Sequence, residues 1–255
     1  MLESIVSFLL ATIVYISSFF MRDIPFNYIT QKDFDLCKMM DGTFCSRTSL
    51  FFFTTVIYNI YTFVSDHLSL PVENGFQDSP YKFIDGAVIG LILSVSSILI
   101  NILTGFVEIT GIDYEKIWFI PAIIVGMLFT GTTEEILYRA LPINAMRPYI
   151  SENILVPITA LFFGYIHSGN SLHYGLTTTI SGLLLGYGFL KYGLYWAIGL
   201  HSKFNMVEAS FYTVFKYKVN NKLMAGERTS PDDDGLTSGL IELAALIGLK
   251  SSGYL

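Results

Sequence analysis

The chain has 255 residues, of which 52% are hydrophobic and 14% charged, with a mean hydropathy of +0.54. Soluble globular domains rarely carry that balance, so the sequence reads as an integral membrane protein. A net charge of −6 and the lack of any basic block exclude a nucleic-acid-binding face.

Apolar runs long enough to cross a bilayer core of ~30 Å recur along the whole length and leave no room for a separate soluble domain. The expected fold is all-α, a single polytopic transmembrane bundle of about seven to eight helices over residues 1–255, multi-pass in the cell membrane. The first run covers residues 4–21 and lacks the positive leading segment and small-residue cleavage site of a secretory signal peptide. It reads as a retained span. A polar loop, 22–47, holds Arg22, Lys32, Lys38 and Arg47 together with both cysteines, Cys37 and Cys45, and leads to a second run from Thr48 to Ser65. Pro71, Gly75 and Pro80 mark the next loop.

The third span is expected over 83–107, with Asp85 near its start. Gly86 and Gly90 stand four apart there, a spacing that permits close helix contact but that ordinary backbone permissiveness also explains. From Ile117 to Met146 the chain is apolar for about thirty residues, ~45 Å as a straight helix, which predicts a bend or tilt near Pro121 to Gly126. Ile154–His167, Leu172–Leu190 and Leu194–Phe211 supply the fifth, sixth and seventh spans, with Gly182 and Gly186 in register for packing on the sixth. Residues 212–236 are polar and include Asp232, Asp233 and Asp234, and Leu240–Leu249 begins a short eighth span. The acidic run offers cation ligands, although a solvated charge run before a span is the commoner explanation.

Lys and Arg concentrate in the first and seventh loops, four in each, which places those loops in the cytoplasm and the N-terminus outside. Cys37 and Cys45 are then reduced; on the opposite face they would be free to bridge.

Three apolar helices carry polar insertions. Phe129-Thr-Gly-Thr-Thr-Glu-Glu-Ile-Leu-Tyr-Arg139 places two adjacent carboxylates and an arginine where each costs on the order of 3 kcal/mol at membrane depth, so they are expected to face protein or a wet cavity. Glu135 and Arg139 are four apart and able to neutralise each other, whereas Glu134 points ~100° away and lacks that partner. A structural ion cluster explains the trio equally well. Phe163-Gly-Tyr-Ile-His167 closes the fifth span, and His201-Ser-Lys-Phe-Asn205 puts an imidazole and an amide on one face of the seventh. A lone histidine on an apolar face is more often a hydrogen-bonded core residue. Helix rise, however, sets Glu134 and His167 ~20 to 24 Å below a common surface and His201 and Asn205 ~12 and ~18 Å below it, depths that tilted helices bring together.

A carboxylate, two imidazoles and an amide in one wet cavity suit peptide-bond hydrolysis: the carboxylate takes a proton from water, and donors stabilise the oxyanion. Glu134, His167 and His201 equally make a zinc ligand set, with the metal activating the water. No His-Glu-x-x-His run is present, and spacing alone does not choose between metal-dependent and metal-free catalysis. Ser168 and Ser202 follow the two histidines, but nothing in the spacing supplies a base held toward them. His67 and His173 read as solvated residues; Glu208, seven past His201, could face the same cavity but reads first as the emerging end of its helix.

Glu134-Glu135-x-x-x-Arg139, Phe163-x-x-x-His167 and His201-x-x-x-Asn205, taken in order, resemble the three motifs of the CPBP (Abi) family of intramembrane proteases. That family includes the type II CAAX prenyl endopeptidases and bacteriocin-processing relatives. The resemblance covers residues 129–206 and implies a catalytic core over about 115–211. It implies that Glu134 with His167 activates water, that His201 with Asn205 holds the oxyanion, and that Glu135, Arg139 and Phe163 support them. A zinc site is implied less firmly.

The expected activity is an intramembrane endopeptidase acting on a membrane-associated or prenylated peptide or protein, with the lipid bilayer as its other partner. The rival reading is a non-catalytic scaffold or bacteriocin-immunity protein with the same fold. A small transporter relaying protons through Glu and His ranks third, because the chain has no convincing internal repeat.

Overall fold

A computed structural model describes residues 79–169, 171–227 and 234–255, together with Val56, Tyr58 and Asn59. The expected runs 4–21 and, but for those three residues, 48–65 lie outside the described residues. So do the loop with Cys37 and Cys45, and His67, Pro71, Gly75, Asp232 and Asp233.

The described chain is mostly helical. Helix α1 spans Lys82–Leu103, α2 Ile120–Glu135, α3 Leu141–Met146 and α4 Glu152–His167. Helix α5 spans Leu172–Tyr192, α6 Leu194–Val214 and α7 Leu236–Ser251. Among the described residues, two helical stretches are long and apolar enough to cross a membrane, α1 and the 33-residue run Tyr114–Met146 that contains α2 and α3.

That second run opens as a 3-10 helix, Tyr114–Phe119, and changes to α2 at Ile120, next to Pro121. Pro121 lies in the first turn of α2, where a missing N–H costs nothing because no carbonyl awaits it. A further irregularity falls at Ile136–Ala140, a single π-helical turn between α2 and α3. Pro142 accounts for it: its ring has no N–H to donate and would press on the carbonyl four residues back, at Tyr138, and a wider turn relieves both.

Helix α5 starts on a cap in which Ser171 Oγ accepts from the backbone N–H of Tyr174, 3.2 Å. It stops at Gly193, whose φ of 84° only glycine adopts freely. That single residue also starts α6, so α5 and α6 form a tight antiparallel hairpin. At the other end of the bundle, Arg147 and Glu152 pair at 3.0 Å across the turn from α3 to α4.

The helices meet through glycines. A Cβ on Gly86 or Gly90 of α1 would collide with the α6 backbone at Trp196 and Leu200, and one on Gly199 of α6 with Phe83. Gly182 and Gly186 of α5 abut Ala160 and Val156 of α4 in the same way. Both glycine pairs therefore serve close packing, as their spacing allows. The interior they seal holds Leu141, Ile143, Leu184, Leu194, Trp196 and Leu200, all nearly inaccessible. Outward, α1 exposes Ile84, Val88, Leu91, Val95 and Leu99, and α4 exposes Ile154, Ile158, Leu161 and Tyr165. Each set is a helical stripe of apolar surface suited to lipid.

A purely helical fold misses one element. Strand β1, Val107–Ile112, pairs antiparallel with β2, Phe215–Val219, in the segment expected to be only a polar loop. Both strands alternate apolar and polar side chains, Glu108 faces Lys218, and the buried Val107 joins Ile98, Tyr212 and Ala225 in a small second core.

We expect Gly90→Leu to destabilise the protein by about 1–3 kcal/mol or more, because the added side chain has to push α1 away from α6. Gly248→Ala, where a Cβ meets open space, is expected to be neutral. Thermal unfolding in detergent distinguishes the two; equal melting points would mean that the α1–α6 contact does not hold the bundle.

Candidate functional site

Three helices deliver the motif residues to one place. Glu134 is the penultimate residue of α2, His167 the last of α4, and His201 lies in the second turn of α6. Gly131 of α2 rests against Ser202 of α6, and that contact brings the α2 terminus close to His201.

Glu135 ties them. Its Oε1 accepts from Arg139 Nη1 at 2.9 Å and lies 2.6 Å from His201 Nδ1. Glu135 and Arg139 are essentially inaccessible, at 0% and 1% exposure, so their charges are compensated within the protein. Against the carboxylate, His201 Nδ1 carries the proton and donates. The Arg139 guanidinium also lies 4.1 Å over the Phe163 ring, a cation–π contact. Phe163 in turn packs on the His167 ring, 4.4 Å between centroids.

His167 is oriented independently. Its Nδ1 donates to the Phe163 carbonyl at 2.7 Å, since a carbonyl only accepts. With both Nδ1 atoms so engaged, both Nε2 atoms turn toward Glu134. Their distances to Glu134 Oε2 are 4.0 Å from His167 and 3.7 Å from His201. Glu134 keeps 22% of its side chain exposed, unlike its neighbour Glu135.

The three groups line a cleft with Thr130, Asn205 and Glu242 among its other walls. It holds about 50 Å³ of water-sized space, room for a few waters. Asn205, one turn beyond His201 on α6, therefore shares the cavity as its spacing predicts. Two imidazoles and a carboxylate are zinc-binding chemistry. Yet among the described residues no three His, Cys, Asp or Glu side chains are grouped so as to hold a metal ion.

The other polar residues separate clearly. Glu208 is not an emerging helix end: α6 runs on to Val214 and Glu208 is 0% exposed. Ser168 Oγ donates to the Tyr165 carbonyl, and Ser202 is buried against Gly131, so neither serine is presented as a nucleophile. His173 Nε2 lies 3.1 Å from Ser171 Oγ at the start of α5.

Ser181 and Glu242, which no motif marks, line the cleft as well, and Asp234, from the acidic run, is buried in its wall rather than solvated. Glu242 carried a usable signal, since it is a lone carboxylate in the apolar run Leu240–Leu249 and earns the same scrutiny as Glu134.

Compared with known families, residues 116–207 match the model described as type II CAAX prenyl endopeptidase Rce1-like. The match runs from the turn before α2 into α6 and encloses all three motifs. No curated protein and no solved structure matches the chain.

Arg139→Ala is expected to cost about 3–5 kcal/mol, because it strands the Glu135 carboxylate in the interior. Glu134→Gln, at a partly exposed position, is expected to leave the melting temperature nearly unchanged. If both variants melt like the parent, the Glu135–Arg139 pair is not structural.

Proposed function

We propose, for a chain whose residues 116–207 form an Rce1-like type II CAAX prenyl endopeptidase domain, that it is an intramembrane endopeptidase that hydrolyses peptide bonds with water activated by Glu134. The family is one of membrane proteins, and the two long apolar helices agree with it. In this reading the chain crosses the cell membrane several times, and the substrate is a membrane-associated or prenylated peptide or protein.

One observation supports the proposal above the others: two imidazoles fixed through Nδ1 turn their Nε2 atoms to one partly exposed carboxylate in a polar cleft. Glu134 takes a proton from water while the water oxygen bonds to the substrate carbonyl carbon. His167 Nε2 accepts the water's second hydrogen and so orients it. The carbonyl oxygen becomes an oxyanion, held by the Asn205 amide N–H and by His201 donating from Nε2, its positive charge balanced by Glu135. Collapse of this intermediate breaks the C–N bond, and the proton on Glu134 passes to the departing amine. Glu135, Arg139 and Phe163 do not touch the reacting atoms; they hold the imidazoles in position.

In a reconstituted cleavage assay, Glu134→Ala and His167→Ala are expected to abolish turnover with the protein still folded. Asn205→Ala is expected to lower kcat by about 10²–10³-fold, the usual effect of removing one oxyanion donor. Unchanged turnover in the Glu134 variant refutes the proposal. Exhaustive chelation is expected to leave the rate intact; a loss that added zinc restores would replace the metal-free route with a metal-dependent one.

A further inference from the structure

We infer that Glu242 is a specificity-determining residue of the cleft, which receives a cationic side chain of the substrate, a reading that rests on the hydrolase assignment above. Glu242 lies on α7, outside the family-matched segment 116–207. Two contacts set the rotation of α7: Thr177 Oγ1 donates to the Gly235 carbonyl at 3.1 Å, and the Ser97 and Ser238 hydroxyls meet at 2.7 Å. So held, Glu242 is 3% exposed and lines the cleft that contains Glu134 and His201.

Its carboxylate is half satisfied. Oε2 accepts from Ser181 Oγ, whereas Oε1 forms no hydrogen bond among the described residues. Burying a carboxylate is costly, and an uncharged residue would pack this helix without the penalty. An ammonium or guanidinium entering the cleft supplies the missing donor and the opposite charge. Among the described residues that line the cleft, carboxylates come from Glu134, Asp234 and Glu242, and neither Lys nor Arg is present. Arg139 is already committed to Glu135. An anionic group brought against Glu242 meets like charge and is disfavoured. The favoured substrate therefore carries Lys or Arg close to the bond that is cut.

The test separates recognition from catalysis by measuring binding to the Glu134→Gln protein in detergent, with fluorescent apolar peptides that are identical except for one central Lys, norleucine or Glu. The Lys peptide is expected to bind at least ~10-fold more tightly than the norleucine peptide. Glu242→Gln is expected to erase that difference, Glu242→Lys to transfer the preference to the Glu peptide, and Ser181→Ala, which leaves the carboxylate in place, to retain it. With Glu134 intact, Glu242→Gln should raise KM for the Lys peptide alone and leave kcat nearly unchanged. The inference is overturned if Glu242→Gln weakens all three peptides equally, as a packing role would, or if the Lys preference survives it. Lys-selective, Glu242-dependent binding in a protein that cleaves none of the peptides would sink the hydrolase reading and leave the recognition site standing.

Discussion

One oxygen atom organises the site. Glu135 Oε1 accepts from Arg139 on the π turn and from His201 on α6, so a single buried carboxylate joins two segments that are 66 residues apart for its histidine contact. Each of the three groups is unfavourable alone in this interior, and each is tolerable because the other two are there. The arrangement also divides labour between adjacent carboxylates. Glu135 is sealed within the protein, while Glu134, one residue earlier and turned away on the helix, stays partly exposed, as the proposed water chemistry requires.

The backbone makes this possible through small residues. Without a Cβ on Gly131, α2 approaches α6 closely enough for Glu135 to reach His201. The glycines of α1 and α5 bring the flanking helices in by the same means. Interhelical contact in an apolar solvent gains little from hydrophobic burial, so close van der Waals approach has to carry more of the stability. The π turn adds a further constraint: it absorbs Pro142 and sits where Arg139 has to point both at Glu135 and over Phe163.

Much of this was legible from residue spacing. The i to i+4 rule anticipated the Glu135–Arg139 pair and the shared face of His201 and Asn205, and depth counting anticipated the convergence of α2, α4 and α6 on one cleft. Helix boundaries from Lys82 onward fell within a few residues of the hydrophobic runs. What stayed hidden depended on partners distant in sequence. Each strand of the β1–β2 ladder is too short and too polar to stand out until the other is beside it. The position of the π turn depended on where each proline falls relative to its helix start, which a run of apolar residues does not reveal. The link from Glu135 to His201 joins residues in separate motifs, and although Glu242 stands out as a lone carboxylate in an apolar run, its place in the cleft shows only once α7 is docked on α5.

The central claim is that both imidazoles are locked through Nδ1 and so present Nε2 to Glu134. Nitrogen-15 magnetic resonance of the histidine-labelled protein in lipid reads the protonation of each ring nitrogen directly. The account predicts a proton on Nδ1 of both His167 and His201, a bare Nε2 on His167, and a His201 Nδ1 signal that changes when Glu135 is replaced by Gln. A His167 ring protonated only at Nε2, or a His201 Nδ1 without a proton, would contradict it.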